Sequence, residues 1–339
     1  MTISQATPLL SPEEIAVRAG QQIEFLRLPQ DDLFAAREAR LRQRAHEHAM
    51  RDFLLFAADI AHAQHAAFKT FPAVTLPDEA ALDAAALAGK PALPAALWPR
   101  DPQWIVALRG MLEQMLPTLV GQAAAREVVE KVLRMGDQEI EQQADRLLNN
   151  IMFGLDLAAA PLIAAGLQVY WTHLITAVQK THGANRVAPF GRTDDATRCP
   201  CCGSLPTASV SRIDGDGHYR YLHCSLCSAQ WHMVRIKCTH CETTKGIHYQ
   251  TLQSAEDEGP AEARKEAIEA ETCDECGHYL KIVRMERNPH VEPVADDLAS
   301  LTLDLLVSEA GFQRHGINLM LLFGEPDDPD PDANRSRGH

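Results

Sequence analysis

No cysteine occurs before residue 199 or after residue 276, so thiol chemistry in this 339-residue chain is confined to that window. Aromatic residues are only 6% of the chain while alanine is abundant, a balance that leans towards helix. Cations are in the minority, 32 Lys and Arg against 46 Asp and Glu, giving a net charge of −14. Phosphates are neutralised by Lys and Arg, so this balance argues against a nucleic-acid partner. No long uninterrupted apolar run is present either. The least charged stretch, Leu157–Val178, is interrupted by Pro161 and Gly166 and carries Gln168, Thr172, His173 and Thr176. That composition fits a buried helix and predicts no stable membrane insertion. Met1 to Val17 lack a basic run leading into an apolar segment and lack a small-residue cleavage pattern. A cytoplasmic location is therefore expected, where thiols stay reduced and available to metals. A Walker loop, a Gly-x-Gly-x-x-Gly, a His-Glu-x-x-His and a nucleophile elbow are all missing, and nothing recommends an enzyme.

The chain is long enough for two or three domains. Residues 1–190 read as helical. Ser11-Pro12-Glu13-Glu14 is a capping signal. The spacing of Phe34, Leu41, Ala45, Phe53, Phe56 and Ile60 predicts one long helix from about Asp32 to Phe68. Prolines 72, 77, 91, 94, 99 and 102 mark an irregular stretch. Further helices are expected over Gln103–Met115, Gly121–Met135, Asp137–Phe153 and Ala158–Lys180, with short connections that suggest an antiparallel bundle. From Cys199 the texture changes to short strands. Thr207–Ile213 and His218–Leu222 flank Asp214-Gly215-Asp216-Gly217, a hairpin signal. A third strand is read over 229–236, and a second set over 246–252, 266–272 and 278–284. The acidic excursion Ser254–Glu262 reads as a solvated loop. Helix returns over Ala295–Glu309, with Leu298, Leu301, Leu305 and Leu306 on one face and Asp296, Asp297, Asp304 and Glu309 elsewhere. The tail 324–339 is rich in Pro and Asp and is expected to be disordered.

Eight of the nine cysteines form four Cys-x-x-Cys pairs: Cys199/Cys202, Cys224/Cys227, Cys238/Cys241 and Cys273/Cys276. Two thiolates at this spacing can bind one ion from a single tight turn whose amides point at the sulfurs. One such pair is a weak signal, but four in under a hundred residues form a strong one. Sequential pairing is expected, with the first two knuckles closing one site across the 207–222 hairpin and the last two closing a second. Structural disulfides, a thioredoxin-like redox pair and purely structural zinc are the competing readings. Residues 199–290 hold few large apolar side chains, so metal binding is expected to supply much of their folding free energy, on the order of 10–16 kcal/mol for structural zinc in peptides. Four thiolates suit zinc and equally suit a single rubredoxin-type iron, and they leave no open position for hydrolysis.

Cys201, inside the first knuckle, reads as a spare residue facing out of the turn, or more sharply as a reactive thiol or alternative ligand. His62 and His65 could share a metal but read as polar-face residues of a helix. His223, His232, His240 and His278 lie near the knuckles, and none is assigned as a ligand. Trp231 and Tyr279 are expected to pack over the metal turns.

These segments resemble a known family. Cys199-Pro-Cys-Cys-Gly, Leu222-His-Cys-Ser-Leu-Cys, Gln230-Trp-His-Met-Val-Arg-Ile-Lys-Cys-Thr-His-Cys and Glu271-Thr-Cys-Asp-Glu-Cys-Gly-His-Tyr-Leu-Lys resemble the FdhE-type formate dehydrogenase accessory proteins. Pro293-Val-Ala-Asp-Asp-Leu-Ala, Asp52-Phe-Leu-Leu-Phe-Ala and Ala63-Gln extend the likeness over roughly residues 30 to 323. The resemblance implies a cytoplasmic factor that contacts the catalytic subunit of respiratory formate dehydrogenase and carries rubredoxin-like iron at the eight paired cysteines. Cys201 departs from the family's more usual residue in its turn.

The expected fold is α+β, a helical N-terminal domain followed by two small rubredoxin- or zinc-ribbon-like β modules. Its divisions are a helical domain over 1–190, metal modules over 191–237 and 238–290, a C-terminal helical segment over 291–323 and the tail. The expected function is maturation of formate dehydrogenase, with iron, or alternatively zinc, at two four-cysteine sites. A nucleic-acid-binding zinc ribbon and a rubredoxin-type electron carrier are the alternatives, the first opposed by the acidic charge and the second by the large helical domain.

Overall fold

The computed structural model describes residues 23–183, 190–214, 217–252 and 267–322. The Ser11 cap, Gly215 and Asp216 of the hairpin turn, the Ser254–Glu262 excursion and the 324–339 tail lie outside the described residues.

The helical region holds α1 (Leu33–Ala45), α2 (Arg51–Lys69), α3 (Glu79–Leu87), α4 (Gln103–Met115), α5 (Ala123–Arg134), α6 (Asp137–Leu148) and α7 (Ala160–His182). The single helix expected from Asp32 to Phe68 is two helices. The chain doubles back between them, because Arg42 reaches Asp59 at 2.8 Å and His62 bonds Glu38 at 2.9 Å. Glu47 takes the left-handed conformation at φ 55°, and the Met50 amide donates to His48 Nδ1 at 3.0 Å. No Pro or Gly marks this break, and the apolar period runs across it unchanged.

Helix α7 is long and apolar enough to cross a membrane by composition, yet it is the buried centre of this region. Gly166 lets α4 approach closely, since a Cβ there would lie 3.0 Å from Leu108 Cβ. Two polar side chains on α7 reach the cysteine region. Gln168, held by Gln64 at 3.0 Å, donates to the Ser225 carbonyl at 2.8 Å, and the Thr172 hydroxyl faces the Cys227 carbonyl at 3.5 Å.

The strands are β1 (Leu26–Arg27), β2 (Pro206–Asp214), β3 (Gly217–Cys224), β4 (Gln230–His232), β5 (Ile247–Gln250), β6 (Ile268–Cys273), β7 (His278–Arg284) and β8 (Gln313–Arg314). They form one sheet in the order β1-β4-β3-β2-β7-β6-β5, with β8 also on β7. The two hairpin sets are joined by parallel pairing of β2 with β7, Ser209 opposite Ile282. The third strand is shorter than the expected 229–236, because Val234 and Ile236 remain exposed and only Gln230–His232 pairs with β3.

The C-terminal segment contradicts the expected helical face. It forms two helices, α8 (Pro293–Leu298) and α9 (Leu301–Glu309); Leu298 is buried and Glu309 exposed as expected, but the rest of the face is turned. Asp296, Asp297 and Asp304 are buried, whereas Leu305 is 61% and Leu306 50% exposed. Each carboxylate is drawn inward by a cation from a distant element, as buried charges require. Arg40 of α1 grips Asp296 with three bonds of 2.7–3.0 Å. Lys281 of β7 and Arg314 of β8 reach Asp297 at 2.9 and 2.7 Å, and both also contact Asp304. Asp297 is held below the usual carboxylate range; burial opposes this, and the Arg314 and Lys281 charges outweigh it. Arg37 meets Glu292, whose other oxygen caps α8 at the Ala295 amide.

Arg40→Met would leave the fully buried Asp296 with the Glu292 amide at 2.8 Å and, as its nearest cation, Arg44 at 3.6 Å. Unpairing such a charge costs about 3–5 kcal/mol, so the urea midpoint should fall steeply. Arg42→Met, which removes a half-exposed pair, should cost less than about 1 kcal/mol in the same assay.

Candidate metal centres

The β2–β3 hairpin carries the first two knuckles. Cys199 and Cys202 precede β2, Cys224 ends β3, Cys227 lies in the turn to β4, and Pro206 pairs with Cys224. Their sulfurs converge, with Cys199–Cys227 at 3.5 Å, Cys202–Cys224 at 3.4 Å and Cys202–Cys227 at 3.6 Å. The second pair of knuckles is built the same way. Cys238 and Cys241 precede β5, Cys273 ends β6 opposite Ile247 of β5, and Cys276 lies in the turn to β7. Cys238–Cys276 is 3.7 Å and Cys241–Cys273 is 3.8 Å. Pairing is thus sequential, and a cross-braced arrangement is not formed. All nine cysteines are free thiols, with no disulfide among them.

This donor set fits a tetrahedral ion. Sulfurs 2.3 Å from such an ion lie about 3.8 Å apart, near the separations found at both clusters. The turns are shaped for it as well. The residue after each second cysteine takes a left-handed conformation: Gly203 at φ 76°, Ser228 at 58°, Glu242 at 61° and Gly277 at 69°. Amides inside the turns point at sulfur, with Leu226 and Cys227 donating to Cys224 Sγ at 3.4 Å and His240 to Cys238 Sγ at 3.3 Å, and past the twist the Thr243 and His278 amides turn to Cys241 and Cys276. Only two of the four positions are glycines; Ser228 and Glu242 adopt the same twist at a steric cost.

The surroundings of the two clusters differ. The first is wholly buried inside the helical core, packed with Trp231, Leu222 and Leu226. Burial pushes the Cys199, Cys224 and Cys227 thiols up; burial opposes ionisation of Cys202 too, but donors from Cys199, Cys224 and Cys227 bring it well below the thiol range. Four sulfurs this close cannot all carry charge without a cation between them, and such an ion would satisfy the site. In the second cluster Cys241 is exposed and Cys276 partly so.

Cys201 does not face out of the turn. It is fully buried, and its carbonyl accepts from the Leu93 amide at 3.0 Å. Burial raises its pKa, but donors from Cys199 and Cys227 bring it to about 7.

Among the histidines, His62 pairs with Glu38 and does not share a donor cluster with His65. His223 is buried and pushed down to about 3, by burial first and then by Arg37 and Arg212. Trp231 packs in the first core with its indole N–H on the Ala196 carbonyl at 2.9 Å, while Tyr279 donates to Asp304 at 2.8 Å. Sequence reasoning missed that His240 and His278 meet, with ring centroids 3.7 Å apart. Their places, one inside the third knuckle and one just past the fourth, on the two turns that close one cluster, are the signal that would have shown it.

The turn geometry makes a testable distinction. A Cβ on Gly277 would meet nothing within 4 Å, so Gly277→Ala tests backbone strain alone. It should destabilise the metal-loaded protein by about 1 kcal/mol, and Glu242→Gly should stabilise it by a similar amount, both read as shifts in thermal midpoint.

The comparisons agree with this architecture. Models of the FdhE N-terminal, central and C-terminal domains match residues 23–187, 198–235 and 236–321 in turn. A protein FdhE homolog of Cronobacter sakazakii is 38% identical over 309 residues, covering 91% of this chain and 94% of the relative. Protein FdhE of Salmonella dublin is 37% identical over the same shares. The crystal structure of the FdhE protein from Pseudomonas aeruginosa superposes with a TM-score of 0.76 at 34% identity, covering 89% of this chain and all of that one. With three successive domains matched in order and both four-cysteine clusters assembled, the chain belongs to the FdhE family.

Proposed function

We propose that this protein is an accessory factor for the maturation of respiratory formate dehydrogenase, that it binds the enzyme's catalytic subunit, and that it acts in the cytoplasm. The observation that carries the reading is a pair of four-thiol clusters mounted on a large helical body within the FdhE family. In this reading Cys199, Cys202, Cys224 and Cys227 hold one ion, and Cys238, Cys241, Cys273 and Cys276 hold the other. In this division the described residues of the helical domain (1–190) and of the 191–237 module surround the first, while those of the 238–290 module carry the second nearer the surface.

Rubredoxin-type iron is the ion we assign, with zinc as the alternative. Iron in four thiolates supplies reversible one-electron chemistry, whereas zinc supplies structure alone. A closed four-thiolate set leaves no position for a substrate, so the role is that of a holding factor, not a catalyst. Surface chemistry supports protein binding. Leu97 is 81% exposed at a groove of about 360 Å³ lined also by Leu147, Leu205, Leu226 and Leu319, beside the first cluster. Phe153, in the loop after α6, is 81% exposed. In this reading these exposed apolar side chains meet the partner.

The test is formate-dependent dye reduction in extracts of the source organism. Deleting the gene should abolish the activity, wild type should restore it, and a Cys238→Ala/Cys241→Ala variant that keeps its first ion by metal analysis should not. Undiminished activity in the deletion strain would sink the reading.

A further inference from the structure

The second cluster has an open side, and that side is lined with imidazoles. His240 sits in the turn of the third knuckle and is exposed. His278 follows Cys276 by two residues, and the two rings stack at 3.7 Å with 10° between their planes. His315, just beyond β8, brings a third ring to 5.1 Å from His240. His240, Cys276 and His278 each place a donor atom within 4.8 Å of the other two.

The hydrogen bonding around these rings leaves donor atoms free for an ion. His278 Nδ1 lies 2.8 Å from the Cys276 carbonyl, which can only accept, so Nδ1 is the donor in that bond and Nε2 is the nitrogen turned away from it. A carbonyl bound to the far nitrogen is the support that metal-ligating imidazoles have. His315 Nε2 is buried without a hydrogen-bond partner among the described residues. Ring packing alone explains neither feature.

We propose that His240, His278 and the Cys276 thiolate bind a further divalent cation of the zinc class, beside the second four-thiolate centre. The proposal rests on the reading that Cys276 already ligates the ion of that centre, its sulfur then bridging the two. A thiolate retains lone pairs after binding one ion, and imidazole with thiolate is a donor set that suits zinc. His240 is exposed, so its ring can turn out of the stack to share the cation with His278. Two imidazoles and one bridging sulfur leave a position open to solvent, so this ion exchanges while the four-thiolate ions do not.

The experiment uses the full chain with both four-thiolate centres loaded with zinc. Zinc titrated against a chromophoric chelator should enter one further, chelator-labile site in wild type and none in His240→Ala/His278→Ala, with the two tight equivalents unchanged by metal analysis. Cobalt(II) added to the zinc-loaded wild type should produce thiolate-to-cobalt charge-transfer absorption, and the double variant should give none. Three results would overturn the proposal: saturation of wild type at two equivalents, uptake of the third by the double variant, or cobalt binding without the thiolate band. Loss of a tight equivalent from the double variant would also overturn it, since the histidines would then serve the four-thiolate centre. A wild type that cannot hold two tight equivalents at all would refute the underlying assignment of the cysteines instead.

Discussion

Two adjacent buried carboxylates, Asp296 and Asp297, join the helical body to the sheet. Asp296 accepts from Arg40 on α1, and Asp297 from Lys281 on β7, Arg314 on β8 and Asn318. Neither acid could be buried without those partners, and the partners could not be buried without the acids. Helix α8 is therefore a rivet whose two ends belong to different parts of the molecule. The Glu292 side chain, shared between Arg37 and the α8 cap, adds a second tie to α1.

With the body and sheet clamped, the first cluster sits between them. Gln168 and Thr172 of α7 bond the carbonyls of the second knuckle, and Leu93 and Ala95 donate to the carbonyls of Cys201 and Cys202 in the first. An ion there would cross-link segments that the apolar core already surrounds. The second cluster stands on a smaller core of Val210, Tyr221, Ile268, Tyr279 and Val283. With less apolar burial behind it, that module depends more on its ion, since metal binding to such sites is folding free energy. The same thin cover leaves Cys241, Cys276 and the neighbouring histidines open to solvent and to exchange.

The inward turn of Asp304 in α9 has a cause outside the helix itself. Periodicity reports which residues can share a helix face, but not which face is turned inward once cations from elsewhere are available. Leu305 and Leu306 lie on the outside because Asp304 and Val307 occupy the inside, the first with Lys281 and Arg314 and the second in the small core.

The sequence by itself determined the four cysteine pairs, their convergence as two sequential clusters, the hairpins that carry them and most of the helices. These features rest on local chemistry: Cys-x-x-Cys spacing, turn residues, strand alternation and helical period each act within one turn, hairpin or helix. Only the tertiary structure decided that the two modules share one sheet through β2 and β7, that Cys201 is buried, that Asp296 faces Arg40, and that His240 and His278 stack. Each of these depends on a partner far along the chain. A buried charge or a donor cluster is defined by what surrounds it in space, and spacing along the chain carries no record of that.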